Sequence, residues 1–330
     1  MTTNVPPLQP RVDTADTADA IDAVLSQPLS PTESVTDDRV ARRGGGHLSR
    51  RRLYMRRLLR NRGAVAGLVI LGLLVLFAIG GPMLTSYTYT DVDFTNLTSA
   101  PSSQHWFGTN GTGNDTFAQA THGLQRSMII GVVVSLLTTL IAAFVGAAAA
   151  YLGGAAEKAI LGIVHFLLVV PSFLILALIS QKAGGDWKVL ILVLTAIGWM
   201  YGARVVWSLS TSLREREYVQ AARFMGVSSV RIVLRHLIPN IGSLLIVSFT
   251  LGVVTTVQAE TALSFLGFGV KQPDVSLGSM LSDGAATITS APWLFYFPAT
   301  MLTLLTVCLA LIGDGLRDAL DPMSYAVGRA

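Results

Sequence analysis

Glu260 is the ionisable residue whose setting asks for chemistry. It lies near the end of a long apolar run, Ile241–Leu263, where a charge at the centre of a spanning helix would cost about 2.5–3.5 kcal/mol on insertion scales. At 1.5 Å per residue a straight helix carries it roughly 28 Å from Ile241, close to one interface. Two readings fit: the wall or gate of a path, meeting an amino group carried by a solute, or a hydrated interfacial glutamate that caps a turn. Arg204, late in another apolar run, has the same pair of readings, and its position favours snorkelling to the surface over contact with a solute. His165 has no Cys or His at ligand spacing, so it reads as a packed or partly hydrated helix residue and no metal site is assigned. Asp314, Asp318 and Asp321 share a segment beyond the last apolar run and read as a solvated helix end. The sequence contains no H-E-x-x-H, no G-x-S-x-G and no G-x-x-x-x-G-K-[ST] phosphate loop, so no catalytic residue and no nucleotide site is assigned to this chain. The single cysteine, Cys308, excludes an intrachain disulfide and reads as a small packing residue.

The elements that would position these residues are set by solvent. Hydrophobic residues make up 51% of the 330 and charged ones only 13%, well below a soluble domain. Eleven of the 24 Lys and Arg residues fall within the first 62 positions. Residues 1–47 are rich in Pro, Thr, Ser and Asp without hydrophobic period and read as a disordered tail. Residues 48–63 form a basic juxtamembrane stretch, with Arg50, Arg51, Arg52, Arg56, Arg57, Arg60 and Arg62, suited to anionic lipid headgroups rather than to nucleic acid. Six apolar runs of spanning length follow: Ala64–Leu84, Leu124–Ala150, Ala159–Ile179, Val189–Leu209, Ile241–Leu263 and Trp293–Ile312. In lipid these must be helices, which predicts an all-α protein of six spans. The first span and its following loop occupy 64–123, the remaining five spans 124–322, and a short tail 323–330. The arginine cluster ahead of the first span places both termini in the cytoplasm. The 210–240 segment then also faces the cytoplasm, and it carries Arg214, Arg216, Arg223, Arg231 and Arg235, whereas residues 85–122 contain no Lys or Arg. Pro171 should kink the third span, and the Gly and Ala residues of Gly146–Tyr151 suit close helix packing.

The connection between the fourth and fifth spans, residues 213–240, is too long for a plain turn. Good helix formers run from Arg214 to Met225, Gly226 can end that helix, Ser228 or Ser229 can cap a second, and Pro239 resets the chain. Two short helices joined at a glycine predict a compact knob, with Ala221 and Ala222 leaving one face small enough for close approach by a partner.

Gln220-Ala221-Ala222, then Gly226, then Ile238-Pro239 resembles the E-A-A…G…L-P loop of permeases in type I ATP-binding-cassette importers. Glu260-Thr-Ala-Leu-Ser-Phe-Leu-Gly-Phe-Gly269, Gly313-Asp-Gly-Leu-Arg-Asp-Ala-Leu-Asp-Pro322, His105-Trp-Phe-Gly-Thr109 and Gly113-Asn-Asp115 are similar to segments of one branch, the C-type subunits of dipeptide, oligopeptide and nickel permeases. The resemblance implies a bacterial plasma-membrane importer of peptides, or of nickel or another small solute. It implies a second, B-type permease, two ATP-binding subunits that hold ATP and Mg, and an external substrate-binding protein. It also implies a coupling role for Glu217, Gln220, Ala221, Ala222, Arg223, Gly226 and Pro239, and a translocation-path role for Glu260 and Arg204. An ion-coupled secondary transporter, the reading from another class, calls for ionisable midplane residues and inverted repeats. The sequence offers only His165 for the first and no convincing repeat for the second. It departs from the family pattern at Gln220, where glutamate is usual. Gly162 and His165 stand where an arginine and an aspartate are frequent, and Asn110 and Asn114 where charged residues are.

Overall fold

The computed structural model describes residues 50–182 and 184–320. The expected tails at 1–47 and 323–330 lie outside these residues, as do Asp321 and Pro322. A basic helix α1 (Arg50–Leu58) leads into α2 (Arg62–Gly80), which starts where the Asn61 side chain accepts from the Ala64 amide. After a 3-10 turn at Gly81–Met83 and an irregular segment, Asp115 caps α3 (Thr116–Leu152) by accepting from the Ala118 amide at 2.7 Å. At 37 residues, α3 is roughly 55 Å long, well beyond a ~30 Å hydrocarbon core. It ends at Gly153, and α4 (Gly154–Val169) and α5 (Ser172–Lys182) follow. Then come α6 (Trp187–Arg214), the short helices α7 (Glu217–Phe224) and α8 (Ser229–Ile232), a π turn at Val233–Leu237 and α9 (Ile238–Asn240). The chain closes with α10 (Gly242–Phe265), α11 (Leu277–Ala286) and α12 (Trp293–Leu320).

Among the described residues five helices are long and apolar enough to span, and the α4–α5 pair makes a sixth, broken span bent by 77°. The break is sharper than the kink expected at Pro171. Proline removes a backbone donor and disfavours a helical residue before it, and Val170 is accordingly extended at φ −70°, ψ 133°. Helix α3 runs along α6, where Gly146 allows contact so close that a Cβ there would lie 2.8 Å from Val206 Cβ. Ala147, Ala149 and Ala150 are buried, in keeping with a small-residue seam. Helices α2, α10, α11 and α12 pack with α3 around Leu124, Val257, Leu277, Leu305 and Cys308.

Two element boundaries and one whole helix differ from the sequence expectation. Helix α3 begins at Thr116 rather than Leu124, because Asp115 caps it and Thr116–Thr121 are buried by neighbouring segments. The last span runs on to Leu320, carrying exposed Asp314 and Asp318 on a continuous helix whose other face packs Gly315 and Ala319 against Ala64 and Leu58. Helix α11 was not anticipated, since its Gly, Ser and Asp content reads as loop.

Candidate functional site

The connection between α6 and α10 folds as the expected two-helix knob. Only Glu215 and Arg216 separate α6 from α7, and α7 ends in a full Schellman closure: Gly226 N–H donates to Arg223 O and Val227 N–H to Ala222 O. Gly226 adopts φ +74°, a conformation that strains any residue with a Cβ. Ser228 occupies the N-cap position of α8 without a side-chain hydrogen bond. Pro239 does not interrupt the chain. It sits in the first turn of α9, where its missing N–H is tolerated, and the break falls two residues later at Ile241.

The knob's two faces are unlike. Val219 and Ala222 are 1% and 3% exposed and pack on Ala147 of α3, Val206 of α6, Ile232, Leu237 and Ile241. Ala222 therefore fills the chain's own core, and the small face expected for a partner is carried by Ala221 alone. Beside exposed Ala221 stand Tyr218, Phe224 and Met225, the last two 87% and 75% exposed, with Val230 on α8. Glu217 and Arg223 are exposed around them. Sequence reading passed over Phe224 and Met225. Splitting α7 by its i, i+3 pairs separates Val219 and Ala222 from Tyr218, Ala221 and Phe224, and would have found the face. Gln220 turns back, its amide donating to the Arg214 carbonyl at 3.2 Å, so this departure from the family triplet ties α7 to the end of α6.

Glu260 is fully buried. Its carboxylate accepts from Ser264 Oγ at 2.6 Å and Ser127 Oγ at 3.3 Å. Ser264 Oγ accepts in turn from the Val270 amide and from Ser276 Oγ, and Ser127 Oγ accepts from the Leu277 amide. One carboxylate thus ties α3, α10 and the start of α11 together, and lines no open surface. Arg204 is exposed on α6, ten residues or ~15 Å from Arg214. His165 is exposed on α4.

At the opposite end of α3 the segment before Thr116 is held by polar side chains. His105, buried, pairs with Asp115 at 2.7 Å. Asn110 Oδ1 accepts from the Asn114 amide, and Asn114 Nδ2 donates to Asp91 O, so the two asparagines that depart from the family pattern brace this loop. Hydrogen bonds from Asn96 and Thr95 hold the Asp93 carboxyl well below the usual carboxylate range. Arg126 and His122 share Asp274, each at 2.8 Å, and Arg126 lies 4.0 Å over the Trp187 ring. An open groove of about 470 Å³ here is lined by Tyr89, Phe94, Leu97, Asn114, Gln119 and Pro273, among others.

Comparison with known proteins decides the family. Residues 139–323 match the family described as binding-protein-dependent transport system inner membrane component, and residues 49–101 match the N-terminal TM domain of oligopeptide transport permease C. The chain belongs to this permease family. The oligopeptide transport system permease protein OppC of Mycobacterium tuberculosis (strain H37Rv) is 49% identical over 283 residues, 85% of this chain and 97% of that one. OppC of Bacillus subtilis is 36% identical across 81% of this chain and 88% of its own, and the B. subtilis dipeptide transport system permease protein DppC is 37% identical across 81% and 84%. As a family member the chain is a membrane-spanning transport subunit, all-helical in its described core. The stretch matched by the inner-membrane-component family contains α6, the knob, α10 and α12.

Proposed function

We propose that this chain is the C-type permease subunit of an ATP-driven importer that carries di- or oligopeptides across a bacterial plasma membrane. The observation that carries the reading is the knob at the α6–α10 connection. It exposes Tyr218, Phe224 and Met225 outward while Val219 and Ala222 root it in α3 and α6. A lone chain gains nothing by exposing aromatic and thioether side chains on a polar, arginine-bearing loop, whereas a docking element needs an apolar anchor on a rigid base. The arginines of the loop and of α1 support a cytoplasmic position for this end and for both termini. The groove beside Phe94 then faces outward, toward an external binding protein that delivers cargo.

On this reading two ATP-binding chains hold ATP and Mg, and their closure pushes the knob. Because the knob shares a hydrophobic core with the inner ends of α3 and α6, its displacement moves those helices and tilts this permease against a second, B-type subunit. Cargo named for the relatives, oligopeptide and dipeptide, is the basis for peptide as substrate here. The test is reconstitution of this chain with the second permease, the ATPases and the binding protein in liposomes, followed by uptake of labelled di- to hexapeptides. ATP-dependent accumulation that is lost without the binding protein is expected. Accumulation of nickel but no peptide would change the cargo, and accumulation driven by an ion gradient without ATP would overturn the mechanism.

A further inference from the structure

Helix α3 is followed by two successive glycines at positive φ, Gly153 at 65° and Gly154, the first residue of α4, at 57°. The junction is bridged by side chains from elsewhere. Arg214, the last residue of α6, sends Nη1 to the Ala150 carbonyl at 2.8 Å, satisfying one of the orphan acceptors of the α3 terminus. The same Nη1 lies 3.9 Å from Glu157 Oε2 in the first turn of α4. Glu157 Oε1 accepts from Trp207 Nε1, about two turns earlier on α6, at 2.7 Å. The backbone of Arg214 is engaged too, since its carbonyl takes the Gln220 amide of α7. Arg214 therefore touches the end of α3, the start of α4 and the coupling knob at once.

Among the described residues, little else fastens the α4 half of the broken span. Val164 is the one buried residue of α4, and α5 buries only Leu176, Ala177 and Ser180. Apolar packing cannot by itself oblige α4 to follow the knob, and the two glycines leave the α3–α4 angle free to change. The polar bridge is what joins them.

We propose that Arg214, Glu157 and Trp207 form the link by which movement of the coupling knob reaches the broken third span, with Arg214 and Glu157 as positioning residues for coupled transport. The inference rests on the importer reading above. It goes beyond it in assigning a path: knob to Arg214, Arg214 to Glu157, Glu157 to α4 across the Gly153–Gly154 hinge. The link consists of two hydrogen bonds to charged groups, Arg214 to the Ala150 carbonyl and Trp207 to Glu157, joined by a longer 3.9 Å ion pair between partly shielded Arg214 and Glu157.

The experiment is reconstituted complex carrying Glu157→Gln, Arg214→Gln, Arg214→Lys or Trp207→Phe, with peptide uptake and ATP hydrolysis measured on the same vesicles. Removing the charge of Glu157, or the guanidinium that caps the Ala150 carbonyl and faces Glu157, is expected to lower peptide carried per ATP by roughly tenfold in Glu157→Gln and Arg214→Gln. ATP hydrolysis is expected to persist. Arg214→Lys should be intermediate, and Trp207→Phe, which keeps the ring and removes one donor, should lose about threefold by the same reasoning. Glu157→Gln combined with Arg214→Gln should be no worse than the worse single variant. A wild-type ratio in all four single variants overturns the proposal, as does a parallel loss of uptake and hydrolysis, which marks a merely structural role. Spin labels at exposed Ile163 of α4 and Ser229 of α8 give a readout that needs no cargo. The distance between them should stay fixed between nucleotide states in the wild type and change in Glu157→Gln. A wild-type distance that changes with nucleotide overturns the link even if peptides prove not to be the cargo. Failure of wild-type uptake with a fixed distance strikes the proposed cargo and leaves the link standing.

Discussion

A carboxylate with no exposed surface must be satisfied from within, and Glu260 accepts hydrogen bonds from the Ser264 and Ser127 hydroxyls while their oxygens accept from the Val270 and Leu277 amides. The arrangement matches neither reading offered by the sequence: the buried carboxylate is a clamp that holds α11 on α3 and α10. Glutamine preserves the shape and an acceptor oxygen, and its amide can donate to a serine oxygen. Alanine leaves buried hydroxyls and a cavity. Glu260→Gln is therefore expected to assemble normally and transport at close to wild-type rate. Glu260→Ala should lose about 2–4 kcal/mol, seen as a lowered melting temperature in detergent. Normal assembly of Glu260→Gln with abolished uptake would restore the path-lining role. Nothing in a one-dimensional pattern could have distinguished these cases. The serines that decide them stand 133 residues away at Ser127 and four residues away at Ser264, and the first proximity is a product of the fold.

At the scale of elements, the apolar runs and the knob could be read in advance because each depends on local properties. A stretch of spanning length must be helical in lipid, and a glycine between two helix-forming stretches must turn. Helix α11 and the braced segment before Thr116 could not be read so, because their order comes from capping and buried hydrogen bonds to distant chain, as with Ser276 at the head of α11. The orientation of α7 lies between these cases: its two faces are visible in the spacing of Val219 and Ala222, yet the small alanine pair drew attention to the wrong side. Two outcomes follow for the knob. At Gly226 an added Cβ meets nothing within 4 Å, so substitution acts through the backbone alone, where a β-branched residue at positive φ costs about 1–3 kcal/mol. Gly226→Val should stay in the membrane and hydrolyse ATP with the complex while losing uptake. Gly226→Asn, which tolerates the left-handed region, should keep most of it. Wild-type uptake by Gly226→Val would count against docking through this loop. Phe224→Ala with Met225→Ala removes the exposed anchor without touching the buried face. The ATPase chains are then expected to bind roughly 10–100-fold more weakly in a pull-down titration. Unchanged affinity would move the docking surface elsewhere.

The whole chain shows where a partner or water must stand. Non-helical backbone at membrane depth persists only when protein covers it or when it lines an aqueous cavity. The break at Val170 and Pro171 comes at the end of a 16-residue helix, about 24 Å along it. In this chain it is bare: Val169 is 82% exposed, and Pro171, Ser172 and Phe173 are exposed with it. The intact helix α2 also exposes Leu73 and Leu76, but its backbone groups are internally bonded and lipid can face them without cost. The two kinds of exposure must therefore differ in the assembled transporter. Cysteine at Val169 or Ser172 is expected either to cross-link to the second permease or to react with a water-soluble thiol reagent roughly tenfold faster than cysteine at Leu73 or Leu76. The native Cys308 is buried and gives a low background. Reaction rates that match those at Leu73 in every nucleotide state, with no cross-link, would place the break against lipid and remove it from both the subunit interface and the path. Reactivity that rises in one nucleotide state and falls in another would mark the break as part of the surface that alternating access opens and closes.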